Sequence, residues 1–370
     1  MVFLKFALVA ALFLMVPRIS RWFAMRLRPD PAPLAATTEA VELPTAPGQT
    51  NLAGILEVIR AKYKIPCLAA AVLEGDQLVA RGITGVRKAG SSERATLNDQ
   101  FHLGSDTKAM TATLVAELIE EGKLDWSTTI GQIFGGSVKD MDPAWRTVTV
   151  EQLLTHRGGA PTNLNEGGLW SRLWERKGTP TEQRMELVKG VLSRPPAAAP
   201  GTKYIYSNAG YAIVGAMVEK ITGRPWEELM QERLFKPLGI TSGGFGAPGK
   251  GGAVDEPWGH TAVGTPVEPG PEADNPAAIG PAGTVHMTLA DWSKFIALHL
   301  RGDSANPHRQ VKLLKSATFD RLHRPADGPG PGYACGWLIA KRVWAKGSQP
   351  GDSGRVLTHA GSNTMWFCVV

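Results

Sequence analysis

Strand-forming runs stand at both ends of the sequence, and helical patterns dominate from Trp126 to Pro281 between them. That order excludes all-α and all-β architectures and points to an α+β body with a helical insertion at about residues 126–285. Near the start, Leu52, Ile55, Leu56 and Ile59 recur at helical spacing within Asn51–Lys64, and Ile65-Pro66 ends that helix. Cys67–Leu73 and Gln77–Gly82 flank Gly75-Asp76, a hairpin pattern, and a third β segment is expected around Gly85–Arg87. Phe101–Gly104 leads into a helix from Ser105 to Glu121, with Met110, Leu114, Leu118 and Ile119 on one stripe and Gly122 as its C-cap.

The insertion predicts helices at Val150–Thr155, Pro180–Leu192, Gly210–Thr222 and Trp226–Leu234, separated by Gly/Pro-rich loops. Residues 243–285 are too Gly/Pro-rich and too long for a simple connection and are expected to form a functional loop. Leu289–Leu300 reads as a further helix with Thr288 as N-cap. Tyr333–Arg342 and Arg355–His359 return to strand patterns, joined by the turn-rich Lys346–Gly354. The expectation is an antiparallel sheet flanked by helices plus a mostly helical subdomain, with a site in the cleft between them.

Of the 370 residues 43% are hydrophobic and 20% charged, which excludes a disordered chain. The net charge is +6, but no Lys/Arg stripe interleaves with aromatics, so nucleic acid is not an expected partner. Cys67, Cys335 and Cys368 are odd in number and lack CxxC spacing, which argues against disulfides and a zinc site and favours small buried hydrophobes. The histidines are dispersed without HExxH, and no Gly-rich phosphate loop follows a strand, so neither a metal nor a cofactor is expected.

The apolar run Phe6–Val16 would span only ~17 Å as a helix, too short to cross a bilayer. Lys5 ahead of it suits a secretory signal, whereas Arg18, Arg21, Arg26 and Arg28 behind it suit a membrane-surface anchor. Residues 1–28 are therefore expected to be a signal-like or anchoring segment, 29–50 a Pro/Ala-rich linker, and 51–370 the folded domain. Export to the periplasm or cell exterior follows, with membrane association through the N-terminal segment.

Three short elements carry chemistry. Ser105-Asp106-Thr107-Lys108 places a hydroxyl and an amine at i and i+3, on one helix face. Such an amine can act as the base that a serine nucleophile requires, provided it is neutral. Tyr206-Ser207-Asn208 offers a phenol that can share protons and an amide that can both donate and accept. His359-Ala360-Gly361 follows the apolar Val356-Leu357; the glycine would let a substrate backbone approach, and the histidine could donate to it. Each element alone has a plainer reading: a capping serine with a solvated lysine, a core tyrosine, a satisfied strand histidine.

In this order the three resemble the class C β-lactamase-related family of serine hydrolases, which includes D-alanyl-D-alanine carboxypeptidases, class C β-lactamases and esterases. Glu121–Asp125, Leu153–His156, Pro200-Gly201, Pro237–Gly239, Pro281–Gly283 and Gly336-Trp337 look like further family landmarks, so the resemblance runs from about Leu52 to the end. It implies a β-lactamase/transpeptidase-like fold and a covalent acyl-enzyme on Ser105. Lys108 would act as base, Tyr206 as acid and base for leaving group and water, and Asn208, His359 and Gly361 would contact substrate. The backbone N–H groups of Ser105 and Ser362 would form the oxyanion hole. Substrates would be β-lactams, peptidoglycan-like D-Ala-D-Ala amides or small esters.

Two departures stand out. Ala360 occupies a position where many carboxypeptidases and lactamases carry threonine, which weakens the expected grip on a substrate carboxylate. The sequence stops nine residues after Gly361, where relatives continue with a hairpin and a helix, so a truncated C-terminal part is expected. A catalytically inactive, penicillin-binding-protein-like envelope binding protein is the competing reading, and the joint retention of Ser105, Lys108, Tyr206 and Asn208 argues against it. Gly351-Asp352-Ser353-Gly354 matches a trypsin-like nucleophile segment only in part. Trp258-Gly259-His260 and the pair Trp170 and Trp174 are expected to pack.

Overall fold

The computed structural model describes residues 49–302, 313–345 and 354–370. The signal-like segment, almost all of the linker, and the Lys346–Gly354 stretch up to Ser353 lie outside the described residues. The described chain forms two compact units. The smaller comprises residues 341–345 and 354–356, where the Arg342 amide donates to the Gly354 carbonyl at 2.7 Å. All that follows concerns the other unit.

Helix α1 (Ala53–Tyr63) precedes the expected hairpin of β1 (Cys67–Glu74) and β2 (Gln77–Gly85). The pairing is antiparallel from Cys67 opposite Gly85 to Glu74 opposite Gln77, with Gly75 supplying the left-handed turn at φ 62°. A two-residue strand, Thr50–Asn51, adds to β2 in parallel. The third β segment expected at Gly85–Arg87 is instead a single bridge between Val86 and Arg94. At Gly85 the backbone turns to φ 98° and lies so close to the Pro66 carbonyl that a side chain would collide with it.

A second sheet sets β3 (Gln100–His102) against β4 (Val285–Thr288), with Gly244–Phe245 on the far edge, all antiparallel. It ties the segment ahead of Ser105 to the end of the long Gly/Pro-rich stretch. The expected helix from Ser105 divides into a 3₁₀ turn, Gly104–Asp106, and helix α2, Thr107–Glu120. From Thr107 to Ala116 every residue of α2 is buried, so this is a central core helix rather than an amphipathic surface one.

Helix α3 (Asn208–Thr222) is the second core helix, buried from Ala209 to Glu219. It begins two residues earlier than its apolar pattern suggests, because the Ser207 hydroxyl caps it by accepting the Gly210 N–H. Pro180–Leu192 forms as expected, opened by a Thr179/Glu182 capping box. Its Arg184, fully buried, pairs with Glu219 at 3.2 Å and Glu227 at 2.8 Å. The helix expected at Trp226–Leu234 is α-helical only to Leu229 and widens into a π turn over Met230–Phe235. In α4 (Leu289–Gly302), Thr288 Oγ1 accepts the Asp291 N–H at 3.2 Å, as an N-cap does.

The strand expected from Tyr333 is shorter, Leu338–Lys341, because Gly336 turns at φ 85° with its Cα pressed on the backbone of Ala109. After Arg355–Thr358, β5 (Ala360–Ser362) and β6 (Phe367–Val369) close an antiparallel hairpin. The sheets are small and several rather than the one broad antiparallel sheet expected, but helices and antiparallel strands combine as the α+β reading requires.

Candidate active site

Three chain segments that the sequence separates widely meet at Lys108. Its side chain is fully buried (0% exposed), while Ser105, Tyr206 and Asn208 remain partly accessible. Lys108 Nζ lies 3.0 Å from Ser105 Oγ, 2.8 Å from Asn208 Oδ1 and 2.7 Å from the Ala282 carbonyl oxygen. The last two atoms can only accept. A neutral amine has two hydrogens and one lone pair, so both hydrogens are taken by Asn208 and Ala282 and the lone pair is left for the Ser105 hydroxyl. Burial pulls the Lys108 pKa down to about 7, opposed by the neighbouring Asp106 carboxylate.

The Tyr206 ring centroid is 4.8 Å from Lys108 Nζ and that of Tyr211 5.5 Å, so a proton gained by the amine would meet two aromatic faces. Burial raises the Tyr206 pKa, against a hydrogen bond to Ser105, and the phenol keeps its proton. His156, at φ 59°, lies behind it, its ring 4.4 Å from that of Tyr206 and its Nδ1 accepting the Ser207 N–H at 3.2 Å. Burial, with Lys108 adding to it, holds His156 well below the usual imidazole range, so it is neutral.

The backbone beside Ser105 is arranged by absent side chains. A Cβ on Gly104 would strike the Ser362 amide, and one on Gly361 would strike the Leu103 carbonyl. Gly283 lets a third segment approach the Gly104–Ser105 backbone. His359 and Val370 exchange both backbone hydrogen bonds, so the next exchanging pair along the hairpin is Gly361 and Cys368. The Ser362 N–H therefore faces away from β6, on the edge where Gly104 lies. The Ser362 hydroxyl turns back onto its own loop, donating to the Trp366 carbonyl at 2.7 Å and accepting the Thr364 N–H at 2.8 Å.

Two expectations change. His359 is buried and has both ring nitrogens engaged within the protein, Nδ1 with Asp106 Oδ1 at 3.1 Å and Nε2 with the Tyr333 hydroxyl at 3.2 Å. It cannot also hold a substrate. Gly361 is buried too, and what its missing side chain admits is the protein's own turn at Leu103–Asp106 rather than a substrate backbone. Along β5 the residues facing outward are Ala360 and Ser362.

Cys368 is more than a small hydrophobe: its thiol lies 2.7 Å from Asp106 Oδ2, behind the nucleophile turn. Trp258 and His260 pack as expected, His260 Nε2 accepting the Ala89 N–H at 3.0 Å. Asp106, Ala282 and Gly104 were not singled out from sequence, although Asp106 and Ala282 sit inside quoted motifs. Among the described residues, no group of His, Cys, Asp and Glu gathers as metal ligands would.

A buried amine poised on a serine at the head of a core helix, in an α+β scaffold, defines a protein of the β-lactamase and penicillin-binding type. The chain belongs to the Beta-lactamase family, whose model matches residues 52–370. It is 30% identical over 269 residues to penicillin-binding protein 4 of Amycolatopsis lactamdurans, covering 72% of this chain and 67% of that one. It is 25% identical over 303 residues to an unguisins hydrolase of Aspergillus campestris, covering 79% of this chain and 54% of the relative. The chain thus spans between half and two thirds of these relatives. The fold matches that of the D-alanine carboxypeptidase AmpC from Burkholderia cenocepacia with a TM-score of 0.64 at 22% identity, over 85% of this chain and 87% of the other.

Proposed function

We propose that the protein is a serine hydrolase that cleaves amide or ester substrates through an acyl-enzyme on Ser105. The observation that carries this reading is the saturation of Lys108: both amine hydrogens are engaged and the remaining lone pair is directed to the Ser105 hydroxyl. A solvated surface lysine would have no such constraint.

In the reaction, Lys108 accepts the Ser105 proton as Oγ bonds to the substrate carbonyl carbon. The resulting oxyanion is held by the N–H groups of Ser105 and Ser362. As the C–N or C–O bond breaks, the leaving group takes a proton from Tyr206, and the Lys108 ammonium replaces it. Water then attacks the acyl ester, giving its proton to Lys108, and Ser105 leaves with a proton as the free acid departs. His359 holds Asp106 behind the turn and touches no substrate.

Ala360, on the outward face beside Ser362, offers no hydroxyl to a substrate carboxylate. This favours esters and amides without a carboxylate at that position over β-lactams and D-Ala-D-Ala peptides. The N-terminal pattern supports an exported enzyme, which cell fractionation of the full chain would test.

Intact-mass analysis after exposure to a fluorophosphonate or a penicillin is the direct test. A single adduct is expected on the unmodified protein and none on Ser105→Ala. An adduct that persists in Ser105→Ala rejects the assignment.

A further inference from the structure

Behind the candidate oxyanion hole runs a closed chain of buried hydrogen bonds. The Gly104 N–H donates to His102 Nδ1 at 3.0 Å. With that nitrogen accepting, the ring hydrogen is on Nε2, which lies 2.9 Å from Asp274 Oδ2. The other carboxylate oxygen, Oδ1, accepts the Asn363 side-chain N–H at 3.1 Å and the Asn275 backbone N–H at 2.7 Å. His102 is 0% exposed, Asp274 5% and Asn363 6%. Asn363 is itself saturated: its amide also donates to the Ala273 carbonyl, and its Oδ1 accepts the N–H groups of Met365 and Trp366, each at 3.1 Å. The Trp366 ring then stacks on His102, with centroids 5.8 Å apart.

The ends of this chain matter. Gly104 immediately precedes Ser105, and Asn363 immediately follows Ser362. One carboxylate therefore ties together the two backbone segments whose N–H groups form the candidate oxyanion hole, segments that otherwise meet only through van der Waals contact of glycine backbone. Asp274 belongs to the long Gly/Pro-rich stretch, and that loop is anchored in turn. The Arg176 guanidinium donates to the carbonyls of Pro271, of Asp274 at 2.7 Å and of Asn275 at 3.2 Å. A buried carboxylate held by three hydrogen bonds from two segments has only one position available.

We infer that Asp274 and His102 are positioning residues of the hydrolase: they set the separation of the Ser105 and Ser362 amides, with Asn363 as the receiving end. The inference rests on the acyl-enzyme reading of Ser105. An asparagine at 274 can accept from His102 or from Asn363 but cannot replace both bonds of the carboxylate. A displaced oxyanion donor slows the chemical step and leaves ground-state binding in place.

The test measures fluorophosphonate labelling of Ser105 and kcat and KM on a p-nitrophenyl ester, all per folded molecule as counted by a denaturant transition. Asp274→Asn is expected to slow labelling and kcat by ~10- to ~100-fold while KM stays within about threefold. The exchange Asp274→Asn with Asn363→Asp restores an unbroken donor–acceptor order and should recover much of the rate. His102→Asn, which keeps an acceptor near the Gly104 N–H but breaks the link to Asp274, should resemble Asp274→Asn. Rates per folded molecule that match the unmodified protein in both single variants overturn the inference, as does a loss that only tracks the unfolded fraction. Absence of labelling in the unmodified protein would instead remove the hydrolase reading on which the inference stands.

Discussion

A side chain at Gly104 would occupy the space of the Ser362 amide. Gly104 also sits at φ 49°, where a Cβ is strained whatever its neighbours. Gly104→Ala should therefore push β5 away from the nucleophile turn and misplace one oxyanion donor. The expected fall in kcat on a p-nitrophenyl ester is ~10²-fold or more, with the enzyme still folded by circular dichroism. A variant with unaltered kcat would show that Ser362 takes no part in the site.

Lys108 sets the pH dependence. With its pKa near 7, the fraction with a free lone pair grows as pH rises through that value, so acylation should fall about tenfold per pH unit below it and level off above. Stopped-flow acylation between pH 5 and 9 checks this. Stability has its own sign. The unfolded lysine titrates near ~10.4, so between about 7 and ~10.4 the unfolded chain binds more protons at this site, and the folded state gains stability with rising pH. Lys108→Met removes that slope. Urea titrations of both proteins at pH 7 and pH 9 should show the variant's relative advantage shrinking at the higher pH, while its acylation is lost at both.

Tyr206 separates leaving groups. Its phenol keeps its proton because burial raises the pKa, so its contribution is to donate. Tyr206→Phe should cost ~10²-fold or more on an anilide, whose amine must be protonated to leave, and about tenfold or less on a p-nitrophenyl ester. Equal losses on both would deny the phenol an acid role.

Ala360→Thr adds a hydroxyl on the outward face beside the oxyanion donor. The expected outcome is a several-fold lower KM for a chromogenic cephalosporin, which carries a carboxylate, and little change for an uncharged ester. A hydrogen bond to a charged group of about 1.5–3 kcal/mol sets the upper bound of the gain.

What the sequence made legible was local. Helical spacing located Ala53–Tyr63 and Pro180–Leu192, and the i to i+3 relation brought Ser105 and Lys108 onto one face. The part that escaped depends on partners far along the chain. Nothing in the pattern around Ala282 announces that its carbonyl takes an amine hydrogen, because any residue has a carbonyl. His359 looked like a substrate contact because a strand histidine beside glycine has two possible faces. Only the register of the hairpin decides that Ala360 faces outward and His359 inward onto Asp106. The start of the Ser105 helix was misplaced by two residues because Gly104, at positive φ, forms a 3₁₀ turn that apolar periodicity cannot register.

The contact between Cys368 and Asp106 joins residues 262 positions apart. During translation the nucleophile turn leaves the ribosome long before the hairpin that braces it has been synthesised. Its closing contacts are among the most non-local in the chain, and such contacts are slow to form. Hydrolytic competence should therefore be acquired late, so that a nascent chain passes through the cell's interior with its serine still unarmed.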